Sequence, residues 1–184
     1  MKDSTFSDEQ LAIRLKNGDS QAIATIYHKY KNGLYLFCYR LVSAPEIAED
    51  IVHETFVKII AQGATLHNPS VLKSWIFTIA RNEAFAVLKR RKNFRELREQ
   101  DEDIFEDETR IRDGEGLQLI VEQYLNKLLP QYKEVLILKE YEQLTYDEIA
   151  TVTGTTVSSV KSRLFKARKA LFEKLEPLRK RSDI

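Results

Sequence analysis

One cysteine, one tryptophan, four prolines and six glycines are spread over 184 residues. Cys38 has no partner within the chain, so no internal disulfide can form, and its place in an apolar run reads as a small buried hydrophobe. Scarce Gly and Pro argue against a turn-rich β architecture and favour long helices. No apolar run approaches the roughly 18 residues that a membrane span requires. The opening stretch, Met1 to Asp8, is polar and acidic rather than basic and then apolar, unlike a secretory leader. His28, His53, His67 and Cys38 show no ligand spacing, and a Gly-rich phosphate loop, a nucleophile with a neighbouring base and an HExxH sequence are all missing. These absences leave an enzyme reading without support. The expectation is a soluble, cytoplasmic protein in a reducing compartment, with no catalytic residue, no cofactor, no metal and no direct membrane insertion.

What is present is helical. Apolar residues make up 43% and charged residues 31%, enough for real cores in one ordinary domain or two small ones. Leu11, Leu15, Ile23, Ile26 and Tyr27 show helical spacing, interrupted by Asn17-Gly18-Asp19, where Gly can end one helix and Asp19 or Ser20 can cap the next. Leu34 to Val42 extends the second helix until Ser43-Ala44-Pro45 breaks it, and Pro45 suits the first turn of a third that runs to about Gln62. Gly63 ends that helix, and Asn68-Pro69 precedes a fourth that carries Trp75, Ile76, Ile79 and Ala80 into the basic stretch Lys89 to Lys92. From about Asn93 to Gly116 the periodicity collapses into a composition that cannot bury enough surface to order itself. Leu117 restarts it through Leu119, Ile120, Tyr124, Leu125 and Leu128, and Leu129-Pro130 precedes a helix from about Gln131 to Tyr141. The expected fold is all-α: two small helical bundles, 1–92 and 117–184, joined by a flexible acidic linker, 93–116.

The net charge of +1 hides large local opposites. Arg95 to Gly116 holds ten acidic and four basic side chains, whereas Thr155 to Ile184 holds nine basic and three acidic. Within the basic region Thr145-Tyr146-Asp147-Glu148 reads as a capping box. Ile149, Ala150 and Val152 form its helix, Gly154 supplies a left-handed turn, and Val160 fills the crossing of a second helix. This is a helix-turn-helix. Val160, Leu164, Ala167, Leu171 and Leu175 make one apolar stripe, with Ser158, Lys161, Ser162, Phe165 and Lys169 opposite. Lys161 can donate to guanine, Ser158 and Ser162 to either base edge, and Phe165 can meet a thymine methyl group. Thr156 and Ser159, at the start of the same helix, are counted with the DNA-binding residues, while Arg163, Lys166 and Arg168 flank the face where phosphates would lie. The competing reading packs Phe165 on a neighbouring helix.

Three segments together resemble one family: Ala48-Glu49-Asp50-Ile51-Val52-His53-Glu54-Thr55-Phe56, then Ser74-Trp75-Ile76-Phe77-Thr78-Ile79-Ala80-Arg81-Asn82, then Leu128 to Leu175. In that order, with an acidic linker between, the chain is similar to extracytoplasmic-function sigma factors, the two-domain minimal class of the sigma-70 family, over about nine-tenths of its length. The resemblance implies a domain 2 that binds core RNA polymerase at the β-prime clamp helices and melts the minus-ten element. It also implies a domain 4 that meets the β flap and reads the minus-thirty-five element. The exposed acidic strip Glu46, Glu49, Asp50 and Glu54, with Ile47, Ile51, Thr55 and Ile59 facing inward, would meet the polymerase, although dipole effects near a helix start also favour such charges. Trp75, Asn82, Arg81, Lys89, Arg90 and Arg91 would hold melted DNA, with Trp75 equally readable as core. Lys161, Ser162 and Phe165 match base-touching positions; Lys161 departs from the arginine often found there, which bears on the preferred motif. The resemblance also implies an anti-sigma factor as a partner.

Two other readings compete. A free-standing helix-turn-helix regulator would bind two-fold symmetric operators through a dimerisation helix that the sequence lacks. An interaction protein would use its bundles to bind a regulator, its basic face being incidental.

Overall fold

The computed structural model describes residues 6–94 and 117–182, and all of its regular elements are helices. They divide into two compact units. The first holds α1 (Asp8–Lys16), α2 (Ser20–Val42), α3 (Pro45–Gln62) and α4 (Leu72–Phe94), and the second holds α5 (Leu117–Lys127), α6 (Pro130–Leu136), α7 (Tyr146–Thr153) and α8 (Val157–Ser182). Helix α4 runs two residues past the expected boundary at 92, and the rest of the expected linker lies outside the described residues.

Local chemistry sets the first unit's breaks. Gly18 turns α1 at φ +73°, and Asp19, not Ser20, caps α2 by accepting from the amides of Gln21 at 2.9 Å and Ala22 at 3.4 Å. Arg14 Nε donates to the same carboxylate at 2.7 Å, and that bond holds the Asp19 carboxyl below its usual range. Ser43, left-handed at φ 52°, ends α2, and Pro45 opens α3. Gly63 follows α3 as expected, but for another reason. Its φ is −54°, ordinary for any residue, and a Cβ there would stand 2.8 Å from Leu15 Cγ, so it is the closeness of α1 that demands glycine. Asn68-Pro69 caps a short 3₁₀ turn, Pro69–Val71, before α4 begins. The core gathers Leu11, Ile26, Leu34, Ile59, Leu72 and Ile76 around Phe37 and Phe77, whose rings meet edge-on at 5.5 Å. Each such burial contributes about 1.5–3 kcal/mol. Cys38 is fully buried here, and desolvation pushes its thiol up to about 12.

In the second unit Leu128, Ile137, Leu138, Leu144, Ile149, Val160 and Leu164 form the core. The helix expected from Gln131 to Tyr141 is instead α6 followed by a wider π turn, Ile137–Tyr141. Lys133, almost wholly buried, donates from Nζ to the Asn126 carbonyl at 2.5 Å, satisfying the end of α5.

Candidate nucleic-acid interface

The capping box forms as the sequence implies. Thr145 Oγ1 accepts from the Glu148 amide at 3.2 Å while the Thr145 amide donates to Glu148 Oε2 at 2.7 Å. Gly154 makes the turn at φ +65°, and Thr156 caps α8 by accepting from the Ser159 amide at 3.1 Å. Val160, Leu164 and Ala167 are buried, with Ala170 completing the stripe, whereas Leu171 and Leu175 are only half-buried. The opposite side carries Ser158, Lys161, Ser162, Lys166 and Lys169, all exposed, and Phe165, which is 69% exposed. Phe165 therefore does not pack into the bundle. With Phe172, 61% exposed seven residues further along, it makes an apolar patch beside serine hydroxyls and ammonium groups, the kind of surface that marks a binding site.

The flanking arginines each meet an acid of the preceding segment. Arg163, expected at phosphates, is 28% exposed and turns its Nη1 to within 3.5 Å of Glu134 Oε1. Arg168 donates from Nε to Glu140 Oε1 at 3.2 Å, which raises its pKa further. Lys166 and Lys169 keep exposed positions; Lys169 Nζ stands 3.8 Å from Glu173. Tyr146 and Phe172 were not anticipated. Lys161 and Lys139 lie over the Tyr146 ring at 5.5 and 5.0 Å, and Tyr146, Phe165 and Phe172 line a shallow groove of about 330 Å³ rimmed by Lys161, Arg168 and Lys169. The seven-residue spacing of the two phenylalanines on α8 is the signal that reveals it.

On α4, Trp75, Thr78, Asn82, Phe85 and Lys89 follow the three-and-four rhythm of one helix face. Trp75 is half-buried, not core, and Asn82 is exposed. The Arg81 guanidinium lies 4.1 Å over the Phe85 ring, so an aromatic face and a cation stand together here as well. Lys89 and Arg90 are exposed. Arg91, also exposed, donates from Nη1 to the Val42 carbonyl at 2.9 Å, capping the end of α2.

Glu46, Glu49, Asp50 and Glu54 all lie exposed on α3. The inward face is Ala48, Ile51, Val52, Thr55, Phe56 and Ile59, while Ile47, expected among them, is only half-buried. Beside the strip, Tyr27, Lys31, Tyr35, Val52, His53 and Phe56 line a groove of about 420 Å³ between α2 and α3. Among the described residues no helix is long and apolar enough to cross a membrane, and no group of three or more His, Cys, Asp or Glu could hold a metal.

Residues 26–94 match the family model for sigma-70 region 2, and residues 118–171 that for sigma-70 region 4. The RNA polymerase sigma-H factor of Pseudomonas aeruginosa is 29% identical, over 93% of this chain and 95% of its own. The ECF RNA polymerase sigma-E factor of Haemophilus influenzae is 28% identical, over 94% and 97%. Among solved structures, the sigma factor RpoE of Bartonella quintana, in complex with the anti-sigma factor NepR, superposes with a TM-score of 0.65 at 26% identity, over 83% and 96%. CnrH, in complex with the cytosolic domain of CnrY, shares the fold with a TM-score of 0.70 at 22% identity, over 92% and 97%. A free-standing regulator has no use for region 2, and that reading is set aside. The chain belongs to the extracytoplasmic-function group of the sigma-70 family and is a sigma factor that directs transcription initiation.

Proposed function

We propose that this sigma factor grips its promoter at two points. Helix α8 enters the major groove of the minus-thirty-five element, with Lys161, Ser162, Ser158 and Phe165 toward base edges and Thr156, Ser159, Lys166 and Lys169 toward the backbone. Helix α4 receives the melted minus-ten strand: Trp75 offers a stacking face, Asn82 meets the edge of a flipped base, and Arg81, Lys89 and Arg90 follow the backbone. The strip Glu46, Glu49, Asp50 and Glu54 docks on the basic β-prime clamp helices, and the second unit meets the β flap. The acidic residues between the two units lie in a basic channel of the polymerase and mimic nucleic acid. An anti-sigma factor, the kind of partner that RpoE of Bartonella quintana carries, holds the free protein inactive in the cytoplasm.

The observation that carries this reading is the exposure of Phe165 among Lys161, Ser162 and Lys166 on α8. Its test mixes the purified protein, core polymerase and a library of genomic promoter fragments. The expected outcome is a heparin-resistant, initiation-competent complex on a defined subset. If none forms on any fragment, the two-point grip is wrong.

A further inference from the structure

Glu134 lies on α6 with its side chain wholly excluded from solvent, among the buried Lys133, Val135 and Leu136. Its Oε1 is 3.5 Å from Arg163 Nη1, and Arg163 sits on α8 immediately after Ser162 and two residues from both Lys161 and Phe165. A carboxylate in such a place carries a desolvation cost that a leucine would not, so the pair is a poor device for stability. What it supplies is direction. The apolar contacts of Val160, Leu164 and Ala167 hold α8 against the bundle without a directional preference of their own, whereas a charge contact reaching a wholly buried carboxylate depends on which way the arginine points. A second pair has the same polarity: Glu140, on the π turn that continues α6, accepts from Arg168. Both acids come from one segment and both arginines from α8, five residues apart, or about 7.5 Å along the axis.

We propose that Glu134, acting through Arg163, is a positioning residue for promoter recognition. The contact between the buried Glu134 and the half-buried Arg163 fixes the roll of α8 so that Lys161, Ser162 and Phe165 point outward together, and Arg163 acts there rather than at a phosphate. This rests on the reading of α8 as the upstream-element reader. A roll of even a fraction of the 100° per residue step would move Phe165 off its base while leaving the flexible lysines in reach of the backbone.

The test replaces both partners, E134L with R163L, in the full chain assembled with core polymerase. Binding is measured on the upstream element selected from a randomised duplex and on its single-base variants, across a salt series. The expected result is a cooperatively folded protein whose discrimination between these duplexes falls about 10-fold with an unchanged salt slope. Retained discrimination overturns the proposal, and if it comes with a slope shallower by about one, Arg163 is a phosphate contact instead. Should the double variant fail to fold, E134Q is read in the same assay: about threefold weaker discrimination is expected, and none lost overturns the proposal. K161A serves as the control. If it too leaves discrimination untouched, the fault lies with the reading of α8 and not with Glu134 alone.

Discussion

Helices α4 and α8 are both long and both basic along part of their length, yet they use their charges differently. On α8 two arginines are turned back to Glu134 and Glu140, and the lysines and Phe165 remain outward. On α4 Lys89, Arg90 and Arg91 are all exposed, Arg91 also capping α2, and the same helix carries an indole, a carboxamide and a phenyl ring on one face. Arg163, Arg168 and Arg91 each reach an acceptor on another element, as the planar guanidinium fork allows. A count of cations therefore overstates the contacts left for DNA. The comparison also separates two tasks: α8 offers donors and an apolar ring for a closed duplex, and α4 offers stacking surfaces that only unstacked bases can use.

The sharpest break of this comparison is W75A combined with N82A. Loss of a stacking face worth about 1–3 kcal/mol should slow strand opening by about 10- to 100-fold, with duplex binding little changed. Permanganate footprinting of the open complex checks this; equal loss on a premelted template would erase the distinction between the helices. Next, K161A and F165A should each reduce discrimination at the upstream element by about 10-fold, as loss of a base contact does, and a uniform loss over all sequences would reduce both residues to backbone contacts. Smaller still is the contrast between neighbours on α4. Lys89→Ala should lower the salt slope of single-strand binding by about 0.7, whereas Arg91→Ala should leave it unchanged and cost about 1 kcal/mol in urea unfolding of the protein. The mildest effect is chemical. Cys38 should resist thiol reagents at pH 8 until the protein unfolds, because burial keeps its proton up to about 12. Its contribution to stability is constant below the ordinary thiol range and is lost as pH rises from about 9 toward 12. Rapid modification of the folded protein would show that the first core opens easily.

Much of this was legible in the sequence because the signals were local. Gly154 at positive φ, the Thr145–Glu148 box and the exposed acids of α3 each follow from residues a few positions apart. What escaped was set by contacts distant along the chain. Gly63 looked like a terminator and is a clearance for Leu15, 48 residues earlier. The intramolecular partners of Arg163 and Arg91, Glu134 and the Val42 carbonyl, lie on other helices and leave no trace nearby in the sequence. Glu134 itself gave no warning, for an acid amid Lys133, Val135 and Leu136 reads as a solvated position until α8 is laid over it. The π turn at Ile137–Tyr141 was likewise invisible to a rule that assumes a constant helical period.

Helix α4 runs from Leu72 to Phe94 without an internal Gly or Pro. Trp75 and Arg90 are thus separated by about 22 Å on a stiff rod, and their angular phase is locked to it. One residue added between them would swing the cationic end by about 100° relative to the indole, and only insertions near a whole turn would bring the two back onto a common side. The spacing between these two stations is consequently quantised, and an insertion that keeps both on one side must come close to a whole number of helical turns.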